Sequence, residues 1–114
     1  MRSDADRLSD ILAAIAKINE RIVDDIDAFE RDEMLQVWVI HHLQIIGEAA
    51  RGVSQSVKDR HPEVGWLRIV ALRNILVHEY FGLNIHQVWM VAQRELPKLE
   101  EQVQRIHAGV TFHP

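Results

Sequence analysis

Apolar positions recur along most of the chain at the three- and four-residue spacing of helices packed on one face. Leu8, Ile11, Leu12, Ile15, Ile18 and Ile22 form the first stripe, predicting a helix from about residue 4 to 23. Ser3-Asp-Ala-Asp6 stands where a cap belongs, with its acids at the positive end of the helix dipole. Asp24-Asp25 loosens the helix end, and Asp27-Ala-Phe-Glu30 has the spacing of a capping box. The second element then runs through Leu35, Trp38, Val39, Leu43, Ile46 and Ala50 to about Val57. It is apolar on more than one face, as the central helix of a bundle must be. Gly47 and Gly52 mark close helix contacts or a kink. Lys58 to Gly65 is a connector in which Pro62 stops the second helix. Trp66, Ile69, Val70, Leu76 and Val77 carry a third helix, closed by Gly82. Asn84 with Gln87 caps a last helix built on Ile85, Val88, Trp89, Ala92, Leu96, Leu99, Val103 and Ile106. Pro97 kinks or restarts it, because proline removes a backbone donor. Residues 109–114 are expected to fray. With no strand alternation and no repeat, the pattern predicts an all-α, antiparallel bundle of four to five helices forming one domain over residues 1–114.

At 114 residues the chain can hold one core with little to spare. No apolar run approaches the ~20 residues of a membrane span, and no basic stretch followed by an apolar one opens the sequence. The absence of cysteine removes disulfides, thiol catalysis and cysteine-based zinc sites together, and the expected compartment is cytoplasmic. The net charge of −4 is unevenly spread: residues 1–33 hold ten Asp/Glu against five Lys/Arg, the remainder seven against eight. The chain is therefore not a basic coat for nucleic acid, and any such contact has to be local or assisted by a partner. His41 and His42 are adjacent and face different ways on a helix, and no H-E-x-x-H run occurs, so neither metal nor cofactor is expected. Glu48 and Arg51 read as a structural pair, and the acidic first third as a solvated face.

Trp66 to Gly82 is the stretch that calls for an explanation. Arg73 falls on its apolar stripe, between Val70 and Val77. At ~100° per residue, Tyr80 projects within about 20° of Arg73, whereas His78 lies about 140° away beside Asn74 and Ala71. A charge on an apolar stripe is costly unless it is paired or faces a wet cleft. Read as chemistry, Arg73 offers a planar fork of donors to a phosphate oxygen gaining charge, and His78 a group that titrates near neutral pH. The bland alternative pairs Arg73 with an internal carboxylate such as Glu48 and leaves His78 an ordinary helix-end residue.

Arg73-Asn-Ile-Leu-Val-His78-Glu-Tyr80 has the form R-x4-H-x-Y, with asparagine directly after the arginine. In this run the sequence resembles the HEPN superfamily, and within it the HepT-like toxins paired with minimal nucleotidyltransferases. Leu43-Gln-Ile-Ile-Gly-Glu-Ala-Ala50, the Trp66 lead-in, Glu79-Tyr80-Phe81-Gly82, Val88-Trp89 and Leu96-Pro97 extend the likeness from Asp10 to about Gln104. The resemblance implies a helical bundle that forms a homodimer with the motif at the dimer cleft. Three tryptophans and an almost all-round apolar second helix agree with burial against another chain. It also implies a metal-independent endoribonuclease acting on RNA, with Arg73, Asn74 and His78 as catalytic residues and no cofactor. Tyr80 would be the site at which a cognate nucleotidyltransferase antitoxin adds AMP units. The rival reading is a catalytically silent bundle that binds or positions a nucleotidyltransferase.

Overall fold

The computed structural model describes residues 2–78 and 84–111, with residues 73–78 and Thr111 described by their backbone alone. Helix α1, Asp4–Arg21, starts from a capping box. The Ser3 hydroxyl accepts from the Asp6 N–H at 3.1 Å, and the Asp6 carboxylate accepts from the Ser3 N–H at 3.2 Å. Those hydrogen bonds from Ser3, backbone first, hold the Asp6 carboxyl below its ordinary value. Leu8, Ile11, Ile15 and Ile18 are wholly buried along the inner face of α1.

The second element is three helices rather than the one its apolar pattern suggests. α2 is Ile26–Arg31, α3 Glu33–Gly52 and α4 Gln55–Arg60. The cap of α2 is Asp25, not Asp27: its carboxylate accepts from the Asp27 N–H at 3.0 Å. Asp32 then breaks the run by capping α3 through the Leu35 N–H, at 3.0 Å. Gln36 reaches back from α3 and donates to the carbonyls of Phe29 and Glu30, both at 2.9 Å, satisfying acceptors that the end of α2 would leave open. At the other end Ser54 caps α4 and is itself clamped by Asp4. Its N–H and hydroxyl donate to the two carboxylate oxygens at 2.8 and 2.7 Å. The start of α1 is thereby tied to the end of α3, which makes the two antiparallel.

α5 is Trp66–His78, and α6, Ile85–Met90, is capped by Asn84 as its spacing suggests, through the Gln87 N–H. α6 leads through a π-helical turn, Val91–Glu95, into α7, Leu96–Thr111. The expected break near Pro97 takes the form of that turn. A proline ring clashes with the carbonyl four residues back, here that of Gln93, and a π turn widens the helix at this point. Helical backbone continues to Thr111, into the stretch expected to fray.

Four rods therefore make the bundle: α1, α3, α5 and the continuous α6–α7. α3 is central, packed on α1 and on α5, while α7 lies along α1. The Trp89 indole and the Gln93 amide both donate to the Val23 carbonyl, at 2.9 and 2.7 Å. The Gln102 amide donates to the Glu63 carbonyl at 3.2 Å. These anchors at opposite poles run α6–α7 antiparallel to α1. The architecture is the all-α bundle of four principal helices. All three tryptophans are used inside it: Trp38, Trp66 and Trp89 each donate the indole N–H to a main-chain carbonyl of this chain. Among the described residues, the large apolar side chains left exposed are Met34, Val37, Leu67 and Met90. No helix among the described residues is long and apolar enough to cross a membrane.

Candidate functional site

The chain enters α5 through a tight turn. Trp66 N–H donates to the Val64 carbonyl at 2.9 Å, and the Trp66 indole to the His61 carbonyl at 3.0 Å. With Trp66 buried, its ring fixes the rotation of the helix, and Ile69, Val70 and Leu72 follow as half-buried side chains. Leu67 and Ala71 face solvent on the same row, and Leu67 is 88% exposed. Arg73, Asn74 and His78 are carried on unbroken helical backbone. Their side chains, with Tyr80 and the expected helix end at Gly82, lie outside what is described.

The scaffold under α5 is α3. In the run Ile45-Ile-Gly-Glu-Ala-Ala50, residues Ile46, Gly47, Ala49 and Ala50 are buried while Glu48 points outward. Small residues here let helix backbones approach closely. Glu48 stands 3.7 Å from Arg51, so the expected pair exists, as a solvent-exposed contact of little energetic weight. The C-terminal end of α5 points to the pole where α2 meets α6. There His86 and Glu30 come within 2.7 Å of each other.

His42 is buried and belongs to the core. Its Nδ1 donates to the Trp38 carbonyl at 2.8 Å, and its ring lies 4.4 Å from the Trp38 ring. Arg21 covers that tryptophan at 5.0 Å. His41 is exposed, so the adjacent pair divides between core and surface as the helical projection suggests. Among the described residues no group of three His, Asp or Glu side chains is placed to hold a metal ion.

One feature of the surroundings has no counterpart in the sequence pattern. A cleft of about 410 Å³ separates α5 from α7, with Arg68, Arg94 and Lys98 among its lining residues. The cations at 94 and 98 are four residues apart, one in the π turn and one in α7, and their proximity to α5 is a product of the fold.

The sequence profile described as "Ribonuclease HepT-like" matches residues 11–106, from the second turn of α1 through the motif helix to the last core residue of α7. The chain belongs to the HepT-like ribonuclease family. Its relatives agree. A protein of Methanocaldococcus jannaschii, provisionally named as an RNase, is 36% identical over 98 residues, covering 85% of this chain and 90% of its own. "Probable ribonuclease HepT" of Thermococcus cleftensis is 33% identical over 106 residues, covering 92% of this chain and 96% of its own. A protein of Caldanaerobacter subterraneus subsp. tengcongensis, also provisionally named as an RNase, is 37% identical over 78 residues, covering 68% and 70%. No solved structure matches significantly.

Proposed function

We propose that this HepT-like chain is a metal-independent endoribonuclease acting as the toxin of a toxin–antitoxin pair. The observation that carries this reading is the family match across residues 11–106, which takes in the Arg73-Asn74-x3-His78-x-Tyr80 run on and beyond α5. In the proposed chemistry Arg73 donates to a non-bridging phosphate oxygen as its charge grows. His78 takes the proton of the ribose 2′-OH or delivers one to the leaving 5′-oxygen, and Asn74 orients either group. Neither role needs a metal ion. A homodimer completes the site: Arg73 and His78 project to different sides of one helix, and a second copy brings both residue types to one groove. The exposed Met34, Val37, Leu67 and Met90 support such an association.

Control falls to Tyr80. AMP units transferred from ATP to its hydroxyl by a cognate nucleotidyltransferase, with the phenolic proton lost and pyrophosphate leaving, would bring bulk and phosphodiester charge beside Arg73 and shut out RNA. Purified chain should cleave single-stranded RNA in the presence of EDTA. Arg73→Ala and His78→Ala should each lose ~10²–10⁴-fold in rate with unchanged circular dichroism. Full activity in His78→Ala, or strict dependence on added divalent metal, overturns the mechanism. Intact-mass measurement after co-expression with the nucleotidyltransferase should show AMP increments on wild type and none on Tyr80→Phe. Increments that persist in the mutant remove Tyr80 as the switch. A folded wild-type chain that cleaves no RNA favours the silent-partner reading.

A further inference from the structure

The motif helix is supported unevenly. α5 packs closely on α3, but towards the α6–α7 rod the packing opens into a trough. Its larger lobe, about 410 Å³, is floored by Leu43 and Ile46 of α3 and walled by Ile69, Leu72, Leu96 and Leu99. A second lobe of about 200 Å³ continues towards Ala71, Gln87 and Val88. Arg68, Leu72 and Val91 line both, so the lobes form one depression running beside α5. Arg68 spans it as a fork on Glu95, with Nε and Nη2 at 2.7 and 2.9 Å from the two carboxylate oxygens. That pairing with Glu95 raises the Arg68 pKa.

Two other cations remain. Arg94 and Lys98 are exposed on the rim, and neither forms an ion pair with a described residue. Four residues apart, Arg94 in the π turn and Lys98 in the first turn of α7, they line the same trough, where both can face one phosphate. Glu63 stands at the Gln102 end and repels a second anionic group there. Gln102, 9% exposed, uses its amide nitrogen on the Glu63 carbonyl and keeps its amide oxygen as an acceptor.

We propose that the trough binds one nucleotide unit, with the base flat against the aliphatic floor and its phosphate on Arg94 and Lys98. The volume lies within the ~300–1,000 Å³ of ligand pockets, which are mostly apolar with a few placed polar groups. A base needs flat apolar walls together with an edge partner, which the Gln102 amide oxygen supplies in the larger lobe. A fatty anion would leave the Gln102 amide oxygen unused, and an acidic helix would call for cations on both rims. Ala71, at the edge of the smaller lobe, is seven residues or two turns before His78 on the same helix. The occupant can therefore be a nucleotide of an RNA strand lying along α5, which rests on the ribonuclease reading, or a free mononucleotide.

Amide NMR titration of the full chain tests this, using AMP, inorganic phosphate and a single-stranded hexaribonucleotide, with RNA cleavage kinetics in parallel. AMP or the RNA should shift Leu72, Val91 and Leu99, and Arg94→Glu with Lys98→Glu should weaken that binding at least tenfold. The milder Arg94→Ala with Lys98→Ala should do so to a smaller extent, keeping the test open if the charge reversal misfolds. If RNA is the occupant, KM rises at least tenfold in the reversed variant while kcat falls far less. Shifts with AMP and none with RNA assign the trough to a free nucleotide. Inorganic phosphate matching AMP at the rim with no response at the floor overturns the proposal, as does an acidic amphipathic peptide that binds where nucleotides do not. Cleavage with unaltered KM in both variants and no floor shifts sinks the trough alone. Floor shifts in a chain that cleaves nothing sink the ribonuclease reading alone.

Discussion

Arg7 lies across the last residue of α3 so closely that a Cβ on Gly52 would sit 2.6 Å from its guanidinium carbon. The Arg7 Nε is buried there without a hydrogen-bond partner. No described glycine has a positive φ, so close approach, not backbone freedom, is what glycine supplies at position 52. A methyl group would push aside the flexible end of Arg7 while improving local helix propensity. Gly52→Ala should therefore be nearly neutral in the wild type and stabilising by about 0.5–1 kcal/mol in an Arg7→Ala background. Urea unfolding of the four variants measures this coupling, and strictly additive values exclude the contact. Sequence spacing marks Gly52 as a point of close approach but cannot name Arg7, forty-five residues earlier, as what approaches.

Among the elements, the starts at Ser3 and Asn84 are legible, while the start at Asp25 and the continuity of the second element are not. Ser3 and Asn84 cap where their spacing places them, because a cap is decided within four residues. The breaks at Asp32 and Ser54 are hidden by apolar periodicity that carries on through them. They are held by Gln36 reaching Phe29 and Glu30, and by Asp4 reaching Ser54. The π turn has a similar double origin. Trp89 fixes the helix upstream of it, Gln93 anchors the turn itself, and Leu99, Val103 and Ile106 fix it downstream, so its extra residue is absorbed locally. Deleting Arg94 should return the segment to α register without moving either anchor, provided Pro97 is also replaced. In a regular helix interior proline costs ~3 kcal/mol. Deletion of Arg94 with Pro97→Ala should keep a cooperative thermal transition, and deletion alone should lower its midpoint. Equal midpoints for the two would mean that Pro97 has no part in the turn.

For the molecule as a whole, the apolar positions that the bundle leaves uncovered argue for a second copy. Met34 and Leu67 are 84% and 88% exposed, on two helices that pack against each other. Sedimentation at micromolar concentration should give a dimer, and a crystal structure of that dimer should put both copies of residues 73–80 on one groove. Met34→Lys with Leu67→Lys should move it towards monomer while circular dichroism stays unchanged, since neither side chain supports the core. RNA cleavage should fall in step with the dimer fraction if the site needs both copies. A monomeric wild type, or a dimer with its motifs on opposite outer faces, rules this assembly out.

Helical class, the core stripes and the motif run are determined by the sequence alone, because each depends on residues within one or two turns of one another. Leu8, Ile15 and Val103 are buried where periodicity places them, and Arg73, Asn74 and His78 fall on one helix. The trough has no such signature. Arg68, Arg94 and Lys98 become its lining only when the fold brings the π turn and α7 beside α5. Distances between helices are set by packing across the bundle, where the spacing of residues along a single helix carries no information. The same holds for the tryptophans. Their number suggests an interface, yet each indole N–H finds its acceptor on this chain's own backbone, at Lys17, His61 and Val23.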